Sequence, residues 1–130
     1  MSIALNDSRQ APLWAYVDFE LADVATAQDA FELPAGAIVV DGFVAVSESF
    51  NAGTAATLKI GDSVDDDRYT ASPVDVKTVG TTRLTATGYE VPATGKVKFT
   101  FAQTGTAATT GKARVGIAYI RAGRTQSTQG

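Results

Sequence analysis

Apolar and polar residues change places at every second position in stretch after stretch of this chain, and that period of two confines it to β-structure. In residues 13–21, Leu13, Ala15, Val17, Phe19 and Leu21 fall on one face, with Trp14, Tyr16, Asp18 and Glu20 on the other. Residues 96–102 put Val97, Phe99 and Phe101 inward and Lys96, Lys98 and Thr100 outward. Residues 113–121 place Val115, Ile117 and Tyr119 together. A helix needs spacings of three and four, and the best helical stretch, 21–30, is alanine-rich but short.

Turn residues separate these stretches. Phe31 to Leu33 is a short strand that ends at Pro34-Ala35-Gly36. The longest strand is expected over 37–48, with Ile38, Val40, Val44 and Val46 sharing a face across Gly42. Glycine within a strand marks a bulge or a close backbone approach. Residues 50–53 read as a turn, 56–60 as a strand and 63–72 as a polar, acidic loop. Two short strands are expected over 74–79 and 82–87, around Gly80. Gly95 then turns the chain, and 104–111 is a loop of small residues. About eight strands result, which fits a β-sandwich and, best, an eight-stranded jelly roll. A seven-stranded immunoglobulin-like sandwich is the rival. Residues 1–12 read as an N-terminal arm, 13–122 as the sandwich domain and 123–130 as a flexible tail. Aromatics are only 8% of the chain, so aliphatic side chains must fill much of the core.

Composition narrows the chemistry. The 130 residues include no histidine and no cysteine. This removes the commonest general base, the commonest metal ligand and every thiolate site. A Ser-His-Asp triad is impossible, and no catalytic residue or cofactor site is assigned. The formal net charge of −3 gives nucleic acid or an anionic membrane no electrostatic support. No apolar run approaches the roughly 20 residues of a membrane span. The polar start, 1–12, has no apolar signal core, so synthesis in the bacterial cytoplasm without cleaved export is expected.

The carboxylates of Asp62, Asp65, Asp66 and Asp67 are the one cluster with the oxygen-rich character that Ca²⁺ prefers. Their spacing is not that of an EF-hand, and Arg68 beside them supplies a counter-charge, so no metal site is assigned. Trp14 and Tyr16 are a different matter. They share the face opposite Val17 and Phe19, and two readings stay open: either they are core residues and the faces are reversed, or a partner covers them, since exposed Trp and Tyr anchor interfaces or stack on sugars. With Arg114 and Arg121 they are the candidate interface residues; Arg124 lies near the same end.

Several runs carry a family likeness. Leu33-Pro34-Ala35-Gly36-Ala37-Ile38-Val39-Val40 leads to Phe50-Asn51-Ala52-Gly53-Thr54, then Leu58-Lys59-Ile60-Gly61-Asp62 and Asp67-Arg68-Tyr69. With Thr87-Gly88-Tyr89 and the strand over 113–119, these resemble the capsid cement, or decoration, proteins of tailed phages, of the Bordetella podovirus type. The likeness covers roughly residues 13–124 and rests on turn and strand signatures. It implies a jelly roll that forms homo-oligomers, dimers or trimers, on the outer capsid surface of the virion and bridges major capsid proteins. It supplies no catalytic residues to carry over. The alternative is a carbohydrate-binding or tail-fibre-associated sandwich, with Trp14, Tyr16, Tyr69 and Tyr89 as stacking residues. Enzymatic activity is not expected.

Overall fold

The structure, a computed structural model, describes residues 11–93 and 95–121. The expected tail, most of the expected arm, and Arg124 lie outside those residues. The strands are β1 (Leu13–Glu20), β2 (Gln28–Leu33), β3 (Ala37–Glu48), β4 (Ala55–Gly61), β5 (Val74–Asp75), β6 (Gly80–Arg83), β7 (Gly95–Thr104) and β8 (Lys112–Arg121). They form two four-stranded sheets, ordered β1-β8-β3-β6 and β2-β7-β4-β5. Every pairing is antiparallel.

The pairings nest. β1 pairs with β8, β2 with β7, β3 with β6 and β4 with β5. The chain is thus one long hairpin folded over on itself and rolled into two layers, which is the jelly roll. The all-β sandwich expected from the alternation is the fold observed. Among the described residues no helix is long and apolar enough to cross a membrane.

The core lies between the sheets and is largely aliphatic, as the low aromatic content requires. Val44, Leu58, Ile60, Val97, Val115 and Ile117 are fully buried. A relay of rings runs through it. Phe19 meets Phe99 at 5.3 Å and Phe50 at 5.9 Å, and Phe50 meets Phe101 at 5.5 Å. Phe50 comes from the segment expected to be only a turn, yet it is fully buried.

Four local expectations need correction. In β3 the inward residues are Ala37, Val39, Val44 and Val46, while Val40 is 39% exposed. The register against β8 shifts between Val39 and Asp41, so the extra residue at Val40 reverses which parity faces the core. A bulge was expected at or near Gly42, and it falls two residues earlier. The expected strand over 74–79 stops after Asp75. There the Asp75 carboxylate accepts bonds from the Lys77 N–H (2.8 Å) and the Thr78 hydroxyl (2.9 Å), turning the chain. The strand expected over 82–87 is displaced, and Gly80, expected in a turn, opens β6. Finally, the strand expected over Phe31 to Leu33 begins earlier, at Gln28, after a single 3₁₀ turn, Leu21–Val24.

Candidate interaction face

The outward side of the β1-β8-β3-β6 sheet assembles residues that are far apart in sequence. Strand register sets them in rows. Trp14, Ala118 and Asp41 form one, and Tyr16, Gly116, Phe43 and Arg83 the next. Asp18, Arg114, Ala45 and Thr81 form the third. Trp14 and Tyr16 remain 55% and 64% exposed, unusual values for side chains of that size. The Trp14 and Phe43 rings lie 5.9 Å apart at a 41° tilt.

Small residues make the floor on which these rings lie. A Cβ at Gly116 would sit 2.5 Å from Cε1 of Phe43. Only glycine lets the Phe43 ring lie down across β8, and Ala118, directly opposite Trp14, is almost as small. The result is a broad, low aromatic surface.

Charges border this surface but neutralise each other within the chain. Arg114 grips Asp18 with two bonds, Nε to Oδ1 at 2.6 Å and Nη2 to Oδ2 at 3.0 Å. Arg83 holds Asp41 in the same bidentate manner, both bonds at 3.0 Å. Lys112 lies 3.9 Å from Glu20. Arg114 also lies over the Tyr16 ring, 4.6 Å from its centroid. Hydrogen bonding to Arg114 holds the Asp18 carboxyl below its ordinary range, and the bonds from Arg83 and the Gly42 N–H do the same for Asp41. Such a face offers apolar area inside a self-satisfied polar rim, the layout of a protein docking surface.

Of the four candidate interface residues, Trp14, Tyr16 and Arg114 come together here. Arg121 does not join them: its Nε donates to the Ala35 carbonyl at 3.1 Å, tying β8 to the turn before β3. Phe43 was not singled out from sequence, although its signal was present. If Val44 and Val46 point inward, Phe43 and Ala45 must point outward. Two of the proposed stacking rings are also displaced. Tyr69 is buried in the core, and Tyr89 is half-buried under the Arg68 guanidinium, 3.6 Å from the ring centroid.

The acidic loop is organised around its own residues. Asp62 Oδ1 accepts the N–H groups of Val64 (3.0 Å) and Asp65 (2.8 Å), and its Oδ2 pairs with Arg68 Nε at 2.6 Å. Asp66 pairs with Lys59 at 2.9 Å. Carboxylate oxygens of Asp65, Asp66 and Asp67 lie within 4.8 Å of one another. Crowding raises the Asp67 carboxyl, chiefly through a hydrogen bond and charge repulsion with Asp65. Burial opposes ionisation of Asp62, but the Arg68 bond and the two backbone donors outweigh it and lower its carboxyl. A carboxyl lowered by folding contributes stability above its unfolded value, and that contribution is lost as pH falls through the folded value. Melting temperature should therefore drop as pH falls below the ordinary aspartate range. Asp62→Asn should flatten part of that acid limb, and an unchanged limb in a pH series of melting curves would contradict the assignment.

Comparison with solved structures finds this fold in phage capsids. A chain of the cyanophage Pam1 capsid asymmetric unit superposes with a TM-score of 0.66 at 20% identity, covering 92% of this chain and 90% of that one. A chain of the acidic stable capsid of Helicobacter pylori bacteriophage KHP30 matches with a TM-score of 0.66 at 14% identity, over 85% and 88%. One from the capsid of Ralstonia phage GP4 matches with a TM-score of 0.61 at 16% identity, over 95% and 93%. No family model and no curated protein matches the sequence. Each match spans nearly the whole of both chains, so what is shared is the complete sandwich.

Proposed function

We propose that this protein is a structural component of a phage virion, a decoration protein that sits on the outside of the head and bridges major capsid proteins. The observation that carries this reading is the whole-chain likeness to chains from three phage capsids. The sequence runs that resemble cement proteins point the same way. The Trp14–Tyr16–Phe43 face supplies a surface suited to docking on another protein. Its charged groups are already paired, so its energy of association would come from burying rings. That arrangement favours a protein partner over a sugar, since sugar recognition needs polar side chains free to bond hydroxyl groups. In this role the chain works by binding and does no chemistry.

The test is reconstitution. Heads lacking this protein should rupture at lower temperature than complete heads, and adding purified protein back should restore the difference. Trp14→Ala should weaken binding to such heads by roughly 30-fold or more, the loss of one aromatic anchor of about 2 kcal/mol. Its melting curve should stay close to that of the unaltered protein, because the ring is already more than half exposed. Heads equally heat-resistant with and without the protein would overturn the role. Unchanged binding by Trp14→Ala would remove this face from it.

A further inference from the structure

β1 is an edge strand of one sheet and β2 of the other, and a cleft of about 480 Å³ opens between them. Val17 and Phe19 line it from β1, Ala30 from β2 and Phe99 from β7. Inner strands close over the core, and their Val44, Val115 and Ile117 are fully buried. The core-facing residues of β1 are covered less well. Leu13, which has the parity of the buried Phe19, is 46% exposed, and Ala15 and Val17 are only half-buried. The apolar interior is therefore open along β1.

The two strands that flank the cleft differ as edges. β2 is interrupted by a register shift between Asp29 and Phe31. Such irregularity resists pairing with another chain. β1 is eight residues long, pairs with β8 without any register shift, and contains no proline, lysine or arginine. Among the described residues it has a strand partner on one side only. Its other side presents N–H and C=O groups to a further strand.

We infer that an extended segment of a different protein pairs with the free side of β1 and sets every second side chain into the cleft. The lining defines its chemistry. Side chains that enter the cleft are apolar and cover Val17 and Ala30. Those that point the other way join the face carrying Trp14 and Tyr16. Asp18, Asp23 and Asp29 border the cleft, and no lysine or arginine lines it. Asp18 is neutralised by Arg114. Asp23 and Asp29 make no ion pair among the described residues, although Lys98 lies opposite Asp29 in the strand register. Basic residues at the ends of the segment answer that charge. The β1 strand of a second copy does not meet this description. It has no basic residue, and it brings two more carboxylates, Asp18 and Glu20.

The inference concerns the isolated protein and a peptide, so its failure is distinct from failure of the proposed virion role. The probe is a fluorescein-labelled, end-blocked peptide, Lys-Lys-Thr-Val-Thr-Val-Thr-Lys-Lys, read by fluorescence anisotropy against the full chain. It should bind saturably. The same peptide with its central backbone nitrogens methylated has no ladder donors and should not bind measurably. Asp29→Lys should weaken binding roughly threefold to fivefold, the worth of one exposed charge contact, with the melting curve unchanged because the side chain is exposed. Amide exchange in β1 should slow when the peptide binds, while exchange in β6, on the opposite edge of the same sheet, should not change. No saturable binding at millimolar peptide, equal binding of the methylated peptide, unchanged binding by Asp29→Lys, or protection at β6 instead of β1 would overturn the inference. So would β1 amides that are protected before any peptide is added. Protection that grows with protein concentration would put a second copy on the edge, and protection at every concentration would put the chain's own residues there.

Discussion

Phe50→Ala is expected to lower the unfolding free energy by about 3–5 kcal/mol, a large part of what a domain of this size possesses. The ring is fully buried between the layers, 5.9 Å from Phe19 of one sheet and 5.5 Å from Phe101 of the other. Its backbone N–H donates to the Val76 carbonyl at 3.1 Å, fixing the segment between β3 and β4 to the chain after β5. Truncation would leave a cavity that neither sheet can close without giving up its own pairing. Urea unfolding with an unchanged denaturant slope is the measurement, and Phe50→Leu should recover most of the loss. A loss under about 1 kcal/mol would show that the two sheets can settle into the space.

Gly61→Ala should be nearly as costly, about 3 kcal/mol, although it adds only a methyl group. A Cβ at the end of β4 would press into the backbone of Asp65 and Asp66, well inside van der Waals contact. Side chains can rotate away from such a contact, but this backbone cannot yield freely. It is held by the Asp62 N–H on the Asp65 carbonyl at 2.8 Å and by the Asp62 carboxylate bonds described above. Accepting the methyl group means lifting the loop and loosening Asp62 from Arg68. Gly61→Ala and Asp62→Ala should therefore be less than additive in a double-mutant cycle. Strict additivity would show that the loop is not the element that gives way.

Both predictions concern residues whose importance is invisible locally. Phe50 precedes Asn51-Ala52-Gly53, and those residues do turn, but nothing in the run tells which way the ring points. Gly61 ends a strand, as glycine often does, and its need for close approach comes from a loop that folds back over it. The face was partly legible. Trp14, Tyr16 and Arg114 stand out by residue type and parity, and Phe43 follows from the parity of Val44 and Val46. Val40 was misread because parity holds only until a bulge, and the bulge exists through pairing with β8, some eighty positions away.

Alternation by itself determined the class of fold, because a period of two can bury one face only when the chain is extended. It also set the buried faces of β7 and β8, whereas in β1 either face could have been the core until the structure left Trp14 and Tyr16 exposed, and the absence of histidine and cysteine bounded the chemistry. Tertiary structure alone decided the nesting of β1 on β8 and β2 on β7, because strand pairing is a contest among distant segments that no local pattern records. That contest brings Asp18 to Arg114 across 96 positions and lays Phe43 over Gly116. Among the described residues it also leaves β1, a regular strand with exposed rings, with a strand partner on one side only. The candidate face is a product of register, and register is settled only when both sheets bury their apolar sides at once.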